Sequence, residues 1–388
     1  MPVTLERKPL VEALRLLRQV VQARSTIPIL GNLLLDADDG MLRMTATDLE
    51  RWLTVAVEAT DIGAPMRLTV PAARLSAFVG ALAAGSEICL AERPKTQRLE
   101  ISAGRARHQA ATLPADDWPA PKADDIEPVE IDAALLRRLL LLPSAAVSDE
   151  ETRFYLCGVH LVAAGDGAGG RCLSSVATNG HMLLHLPVAL PEELAGIPAL
   201  EAGIIVPAGT VQTMCAMLAG EQTARLGIGD NLITLACGET RLVSRLIDGT
   251  FPDFHRVIPA RGAGETPRAA RADLLEAAKR CGIAGSAVNN ESGRGRAIHV
   301  AQDGAELVLS SRDETGAAEE RLPLAGELAE SFGVQPAYLD QILHLATGEQ
   351  VGIEMTGAGA PIRLIDDGDP SVDRIVMPVR TAPARMEG

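Results

Sequence analysis

The chain reads as an α+β protein built from three copies of one unit, each with two helices. Three observations predict this. A length of 388 residues exceeds that of one ordinary domain. Helix-period and strand-period stretches recur in the same order three times. The second helix of each pass opens beside a proline (Pro71, Pro207 and Pro336), at near-equal spacings of 136 and 129 residues. Proline is tolerated in a first helical turn because its missing N–H has no intrahelical partner there.

In the first pass, Leu10, Leu14, Leu17 and Val21 share one stripe of a helix over residues 10–23. An extended block follows at 27–35, then the apolar/polar alternation of MLRMTATDLERWLTVAVEA. The second helix is read at 71–84, strands in ICLAE and RLEISAG, and the pass closes at LPADDWP, residues 113–119. The second pass has a helix at 135–146, which Pro143 kinks or ends, and strand-like stretches at 154–161 and 173–186. A helix then begins in VPAGTV, followed by a strand-like IGDNLITLAC; GDGAGG at 165–170 reads as a hairpin tip. The third pass has a helix at 273–281, strands in AIHV and ELVLSSRDETG, a helix at 335–348, and strand-like VGIEM, IRLID and IVMPVR. Proline- and glycine-containing joints set domains at 1–125, 126–259 and 260–388.

With 47% apolar and 22% charged residues, the composition is that of a globular chain. No apolar run reaches the ~20 residues of a membrane helix. The start MPVTLERKPL has no apolar signal segment, and Cys89, Cys157, Cys172, Cys215, Cys237 and Cys281 include no C-x-x-C pair. Reduced core thiols in the cytoplasm are therefore expected, with no zinc site. A net charge of −15 argues against an open, nonspecific nucleic-acid binder, but not against positive charge gathered on one inner surface.

The bases do gather. The first-helix regions carry Lys8, Arg15, Arg18 and Arg24, then Arg137 and Arg138, then Arg271, Lys279 and Arg280. Against these stand Glu12, Asp132, Asp273 and Glu276, and the second helices add little beyond Arg74. On one helix this is an ordinary solvated face. Repeated in an acidic chain, it suggests a shared surface facing a polyanion through sequence-independent phosphate contacts. Residues 244–259, SRLIDGTFPDFHRVIP, hold two of the five phenylalanines, Phe251 and Phe254. Asp248–Gly249 is a turn signal and Pro252 keeps the preceding residue extended, so an apolar cluster with Arg256 beside it sits on a turn.

These segments resemble the bacterial β sliding clamp family, the processivity subunit of DNA polymerase III, over essentially the whole chain. The resemblance is carried by TIPILGNLLL, TDLE, VPA followed by Arg74, LPADDWP, RFYLCG, VATNGHML, RLIDGTFPDFHRVIP and VMPVR, in this order. It implies three clamp-type domains, each with two helices on antiparallel sheets. Two chains would close head to tail into a homodimer ring around double-stranded DNA, which is held without sequence specificity. Arg15, Arg18, Arg24, Arg74, Arg137, Arg138, Lys279 and Arg280 are the candidate DNA-facing bases. It also implies a hydrophobic pocket for linear motifs of the polymerase catalytic subunit, the clamp loader and repair proteins. The positions matching that pocket are Leu156, Thr178, Gly180, His181, Met182, Leu183, Pro252, Arg256, Val257, Pro361, Ile375, Met377, Pro378, Val379 and Arg380. Aliphatic side chains with methionine make an adaptable surface for several peptides. Met182 and Pro361 stand where the family often has Arg and Ser, Asn179 replaces the usual Asp, and TAPARMEG extends past the usual end. Dimer edges are expected near 105–113 and 286–300. No cofactor, metal or membrane contact is implied, and a loaded clamp would be nucleoid-associated.

An enzyme is the competing class, with His181, Asn179 and Cys172 as an imaginable catalytic group. His181 and His185 are four apart in a strand-like segment, which is not helical metal spacing, and no P-loop, G-x-S-x-G, H-E-x-x-H or dinucleotide motif is present. A wall or core role for His181 outweighs catalysis. A third reading is a diverged clamp with altered partners.

Overall fold

The computed structural model describes residues 2–22, 24–121, 126–165, 170–260, 262, 265–284, 297–312, 316–357 and 359–381. The first repeat runs β1 (Val3–Glu6), α1 (Arg7–Leu17), β2 (Asn32–Asp38), β3 (Met41–Thr47), β4 (Arg51–Glu58), β5 (Asp61–Ile62), β6 (Met66–Pro71), α2 (Ala72–Ala81), β7 (Glu87–Arg93), β8 (Arg98–Ala103) and β9 (Ala106–Ala111). The second runs β10 (Val129–Asp132), α3 (Ala133–Ser144), β11 (Gly158–Gly165), β12 (Arg171–Thr178), β13 (Met182–Ala189), α4 (Pro198–Ala202), β14 (Ile204–Pro207), α5 (Ala208–Met217), β15 (Thr223–Ile228), β16 (Leu232–Cys237) and β17 (Thr240–Arg245). The third runs β18 (Arg268–Ala270), α6 (Arg271–Ala284), β19 (Ile298–Asp303), β20 (Glu306–Arg312), β21 (Ala317–Pro323), β22 (Phe332–Val334), α7 (Pro336–Leu345), β23 (Gln350–Glu354), β24 (Ile362–Asp366) and β25 (Asp373–Val376). Short β5 and α4 aside, each repeat is a strand, a helix, four strands, a helix and three strands.

The compact bodies do not coincide with the repeats. One comprises Met1–Arg138, Glu192–Ala199 and Gly209–Leu246; the other comprises Leu139–Pro191, Leu200–Ala208 and Ile247–Gly388. The division runs through the second repeat because its two half-sheets are continued by different neighbours. In the first body a single eight-stranded sheet runs β10-β15-β16-β17-β4-β3-β2-β6, beside a five-stranded sheet β5-β1-β7-β8-β9. In the second body the eight-stranded sheet is β14-β11-β12-β13-β25-β24-β23-β18, beside the four-stranded β21-β20-β19-β22. All strand pairs are antiparallel. Two seams join consecutive repeats: β4 to β17, with Trp52 opposite Val243, and β13 to β25, with Leu183 opposite Ile375.

The helices follow the apolar stripes, with shifted ends. In α1 the buried residues are Leu10, Ala13, Leu14 and Leu17. The helix starts three residues before the expected position and stops at Leu17. Val20 N–H turns back to the Leu17 carbonyl at 3.0 Å, an i→i+3 tightening that buries Val20 beyond the helix. Of the three prolines, only Pro336 is the first helical residue; Pro71 and Pro207 end the preceding edge strands, where a missing N–H removes no ladder bond. Pro143 lies in the last turn of α3, which ends at Ser144. Residues 28–31 form a 3₁₀ turn before β2 rather than continuous strand, and residues 151–156 form another before β11. The aromatic pair Phe154–Tyr155 reads as strand in sequence. In the structure it packs around Gly249, where a Cβ would stand 3.1 Å from Tyr155 and 3.2 Å from Phe154. The last strand ends at Val376, so Met377 to Arg380 leave the sheet. Residues 166–169 of the expected hairpin tip lie outside the described residues.

A repeated device closes the paired helices. Arg7 Nε donates to the Val79 carbonyl at 3.1 Å and Nη2 to Gly80 at 2.9 Å, at the end of α2. Arg271 does the same beyond α7, with Nε on Gly348 at 2.9 Å and Nη1 on Leu343 at 3.3 Å. In the second repeat Ala133 occupies that first helical position, and Arg137, one turn later, reaches the Cys215 carbonyl of α5 at 3.3 Å. Each places a cation on unsatisfied carbonyls at a helix C-terminus, where the macrodipole favours it.

Candidate functional site

The candidate pocket is assembled at the second seam. Leu183 on β13 and Ile375 on β25 are opposite partners, and with Val176 and Phe254 they form one buried cluster, flanked by Phe251, Val257 and Ile258. Leu156, Met182, Leu183 and Ile375 are 1–4% exposed, so they form the floor. Thr178, His181, Val257, Pro361, Met377, Pro378 and Val379 are half-buried walls, and Gly180, Pro252, Arg256 and Arg380 stand exposed at the rim. The sequence-matched positions thus come from five segments of one compact body.

The turn between β12 and β13 is held by its side chains. Asn179 Oδ1 accepts from the backbone N–H groups of His181 (2.9 Å) and Met182 (3.0 Å), and Thr178 Oγ1 donates to the Met182 carbonyl at 2.7 Å. Asn therefore does the capping work of the Asp usual in the family. Gly180 sits at φ +86°, a backbone conformation that favours glycine, and a Cβ there would displace Arg153 Nη1, 2.8 Å away. Arg153, paired with Glu150, also donates to the Asn179 carbonyl at 3.2 Å. The first repeat makes the same turn with Leu49 at φ +75°. The C-terminal segment is tied across it: Met377 N–H donates to the His181 carbonyl at 2.7 Å, and Val379 N–H to Gly333 at 2.9 Å.

Sequence reasoning missed Tyr338, whose ring stacks on His181 at 5.4 Å between centroids. Its position in the first turn of α7, after Pro336, and its rarity as one of two tyrosines were the available signals. It also missed His160, which stacks on Phe251 at 4.6 Å while its Nδ1–H donates to the Ile204 carbonyl at 3.0 Å. Burial pushes the His160 imidazolium down to about 4, against a smaller upward push from that carbonyl.

Beneath the pocket lies a buried polar network. Asp373 accepts from His185 Nδ1 at 2.9 Å and pairs with Arg363 at 3.3 Å; Arg363 also meets Glu354 at 3.1 Å. Next to it Arg374, 1% exposed, pairs with Asp366 at 3.2 Å. Burial raises the Asp366 carboxyl, but amide donors from Thr347, Gly348 and Gly368, with Arg374, outweigh it and hold it below its ordinary value. His185 Nε2 meets Ser174 Oγ at 2.9 Å, completing a Ser–His–Asp line. That line has the order of a nucleophilic triad. With Ser174 3%, His185 6% and Asp373 7% exposed, no substrate reaches the hydroxyl, and the set acts as a cross-strand tie. Among the described residues no group of three metal-ligating side chains occurs. Asn179 Oδ1 is taken by backbone N–H groups, His181 stacks on Tyr338, and Cys172 lies at the far end of β12, opposite Ala189.

The candidate DNA-facing bases divide into two sets. Arg15, Arg18, Arg24, Arg74 and Arg138 are exposed. Arg137 is half-buried, and its Nε donates to the Cys215 carbonyl. In the third repeat Arg280 is held by Glu320 at 2.7 Å and by Glu276, and Lys279 lies between Glu276 and Asp340, so these cations are largely neutralised from within. No described helix is long and apolar enough to cross a membrane.

Three repeats fused edge to edge through shared antiparallel sheets, with an apolar cluster at the second seam, define a clamp-type α+β protein. Residues 1–122 match the family model "DNA polymerase III beta subunit, N-terminal domain" and residues 130–253 its "central domain". A beta sliding clamp of Caulobacter vibrioides is 32% identical over 385 residues, 98% of this chain and 100% of that one, and the Escherichia coli clamp is 30% identical over the same span. A crystal structure of the Bartonella birtlesii clamp bound to griselimycin superposes with a TM-score of 0.89 at 30% identity, covering 98% of this chain and 100% of that one. The chain belongs to the DNA polymerase III beta subunit family, the beta sliding clamps. Its function is that of a DNA sliding clamp, a replication processivity factor.

The depressed His160 gives a signed pH effect. Unfolded chains take up a proton near the ordinary histidine value of ~6.5, while the folded site resists until about 4. Stability is therefore full above the unfolded value and falls as pH drops through that window. His160→Gln, which can still donate to Ile204, should flatten the slope of melting temperature against pH between these limits, as read by calorimetry.

Proposed function

We propose that two copies of this chain close head to tail into a ring around duplex DNA, with domains at 1–125, 126–259 and 260–388. The supporting observation is the repetition of the seam. The last of the first four strands in chain order before the edge strand, β4 or β13, pairs with the final strand of the next repeat, β17 or β25. By the same rule β21 of the third repeat requires a final strand, and β9 of the first repeat requires a partner; both are terminal strands of their sheets among the described residues. A second copy supplies each to the other. The expected edge at 105–113 contains β9, whereas most of the other, 286–300, lies outside the described residues, and β21 takes its place in this reading. β9 and the residue before it carry Arg107 and Arg105, and β21 carries Glu319 and Glu320, so the two edges differ in sign.

Carried over from the two seams, the register sets Arg107 opposite Glu319. Opposed Cα atoms on an antiparallel ladder are roughly 4.5–5.5 Å apart, within disulfide reach. The double variant Arg107→Cys/Glu319→Cys should run at twice the chain mass after mild oxidation and revert under reductant. A monomer band throughout, with both single variants behaving alike, would sink the pairing.

Topological holding lets an acidic chain live on DNA, because only weak phosphate contacts inside the ring are needed. Arg15, Arg18, Arg24, Arg74 and Arg138 are the better candidates; Lys279 and Arg280 contribute less because acids of the same repeat engage them. Replacing Arg15, Arg18 and Arg24 by Gln should reduce the slope of log affinity against log salt by about 0.9 for each phosphate that is no longer neutralised. Arg280→Gln should leave that slope nearly unchanged.

The second-seam pocket takes the linear motifs of the polymerase catalytic subunit, the clamp loader and repair proteins. Leu183, Ile375, Val257 and Met377 seat the apolar anchors, and the His181–Tyr338 stack forms one wall. Calorimetric titration of the full chain with a clamp-binding peptide of the host polymerase should show saturable binding that Met377→Ala weakens by about tenfold or more, the order expected for truncating a buried anchor. Unaltered binding in that variant would remove the pocket from the reading.

A further inference from the structure

The two seams are one joint built twice and finished differently. In strand register, Thr54 and Leu34 of the first seam stand where His185 and His160 stand in the second, and Trp52 and Val243 stand where Leu183 and Ile375 do. At the second seam the chain covers this face itself: Phe251 stacks on His160 at 4.6 Å, and the Phe254 ring lies 5.1 Å from His185. The closing segment of the first repeat, residues 113–119, brings only one ring, Trp118. A cleft of about 220 Å³ remains over the first seam, bounded by Leu34, Trp52, Thr54, Trp118, Val243 and Arg241.

The internal repeat states what fits there. The cleft occupies the place that phenylalanine rings fill at the sister seam. An apolar cavity of ~150 Å³ accepts benzene, so this one has room for a phenylalanine-sized ring and part of its backbone. The floor's polar groups are already satisfied: Thr45 and Thr54 hydroxyls bond each other at 2.9 Å, and Trp52 Nε1 donates to the Pro119 carbonyl at 2.8 Å. Arg241 differs. It is exposed on β17 opposite Thr54, and among the described residues its side chain forms no ion pair. Its equivalent at the second seam is Asp373, which is engaged by Arg363 and His185. The first seam therefore presents an unengaged guanidinium beside two indoles.

We propose that this cleft is a second docking site, taking a linear peptide of a partner protein that presents an aromatic side chain flanked by carboxylates. The ring does for the first seam what Phe251 and Phe254 do for the second. The carboxylate pairs with Arg241, whose planar fork matches it in two parallel hydrogen bonds. The site rests on the first seam alone and stands apart from the pocket at the second.

Both tryptophans of the chain border the cleft, so intrinsic fluorescence reads its occupancy directly. The full chain titrated with acetyl-Gly-Asp-Phe-Asp-Gly-amide should give a saturable shift in indole emission. Arg241→Glu should weaken the peptide by about tenfold or more, the loss of one charge-assisted pair, and replacing both Asp of the probe by Asn should do the same. Thr54→Leu, which fills the floor, should abolish the shift, while Met377→Ala should leave it unchanged. No saturable shift at millimolar peptide overturns the proposal, as does a shift that Arg241→Glu leaves intact. A response to oligothymidylate and not to the peptide also overturns it, in favour of a single-stranded nucleic-acid site.

Discussion

The structure depends on the pairing of backbone at sheet edges. A strand left at an edge presents a row of unsatisfied donors and acceptors. In this chain two such edges are closed by the next repeat, β4 by β17 and β13 by β25. The sheets therefore outgrow the repeats, and the second repeat is shared between two compact bodies. The same constraint, carried to the ends of the chain, supports closure by a second copy.

Once the seams exist, everything laid over them becomes a site. Each repeat ends in a segment that crosses its seam, and the composition of that segment decides what remains open. Phe251 and Phe254 cover the second seam, whereas Trp118 covers the first only in part. Beneath the pocket, Arg363, Glu354, Asp373 and His185 are buried as a mutually paired set. Burying such charges costs more than burying aliphatic groups unless every partner is in place, so the network favours one arrangement of β13, β24 and β25. Its Ser–His–Asp line shows that triad distances can arise from sheet packing alone.

The electrostatics are unequal among the repeats. The sequence suggests three helices contributing alike, but the third repeat spends its cations on Glu320, Glu276 and Asp340, and the second spends Arg137 on a helix terminus. Exposed positive charge is concentrated in the first repeat, with Arg138 the exposed base of the second-repeat pair.

Local pattern was legible along the chain. The 3.6-residue stripe of α1, the alternation of β3 and β4, the capping Asn179 and the positive-φ Gly180 are each properties of a few neighbouring residues, and so is the threefold order of elements. The motifs also carried the family. Other features were settled between residues far apart. The stretch at 154–156 looked like strand because its side chains favour strands, yet Gly249 draws Phe154 and Tyr155 into a turn. Tyr338 belongs with His181 only because α7 packs beside β13 and β25. Whether a third-repeat base is neutralised depended on Glu320 and Asp340, distant in sequence. By itself the sequence determined the repeat, the elements and the glycine and asparagine that shape the pocket turn, because those depend on local backbone energetics. Only the tertiary structure decided which edges meet, which cations are neutralised from within and where a cleft remains, because these depend on strand register and long-range packing.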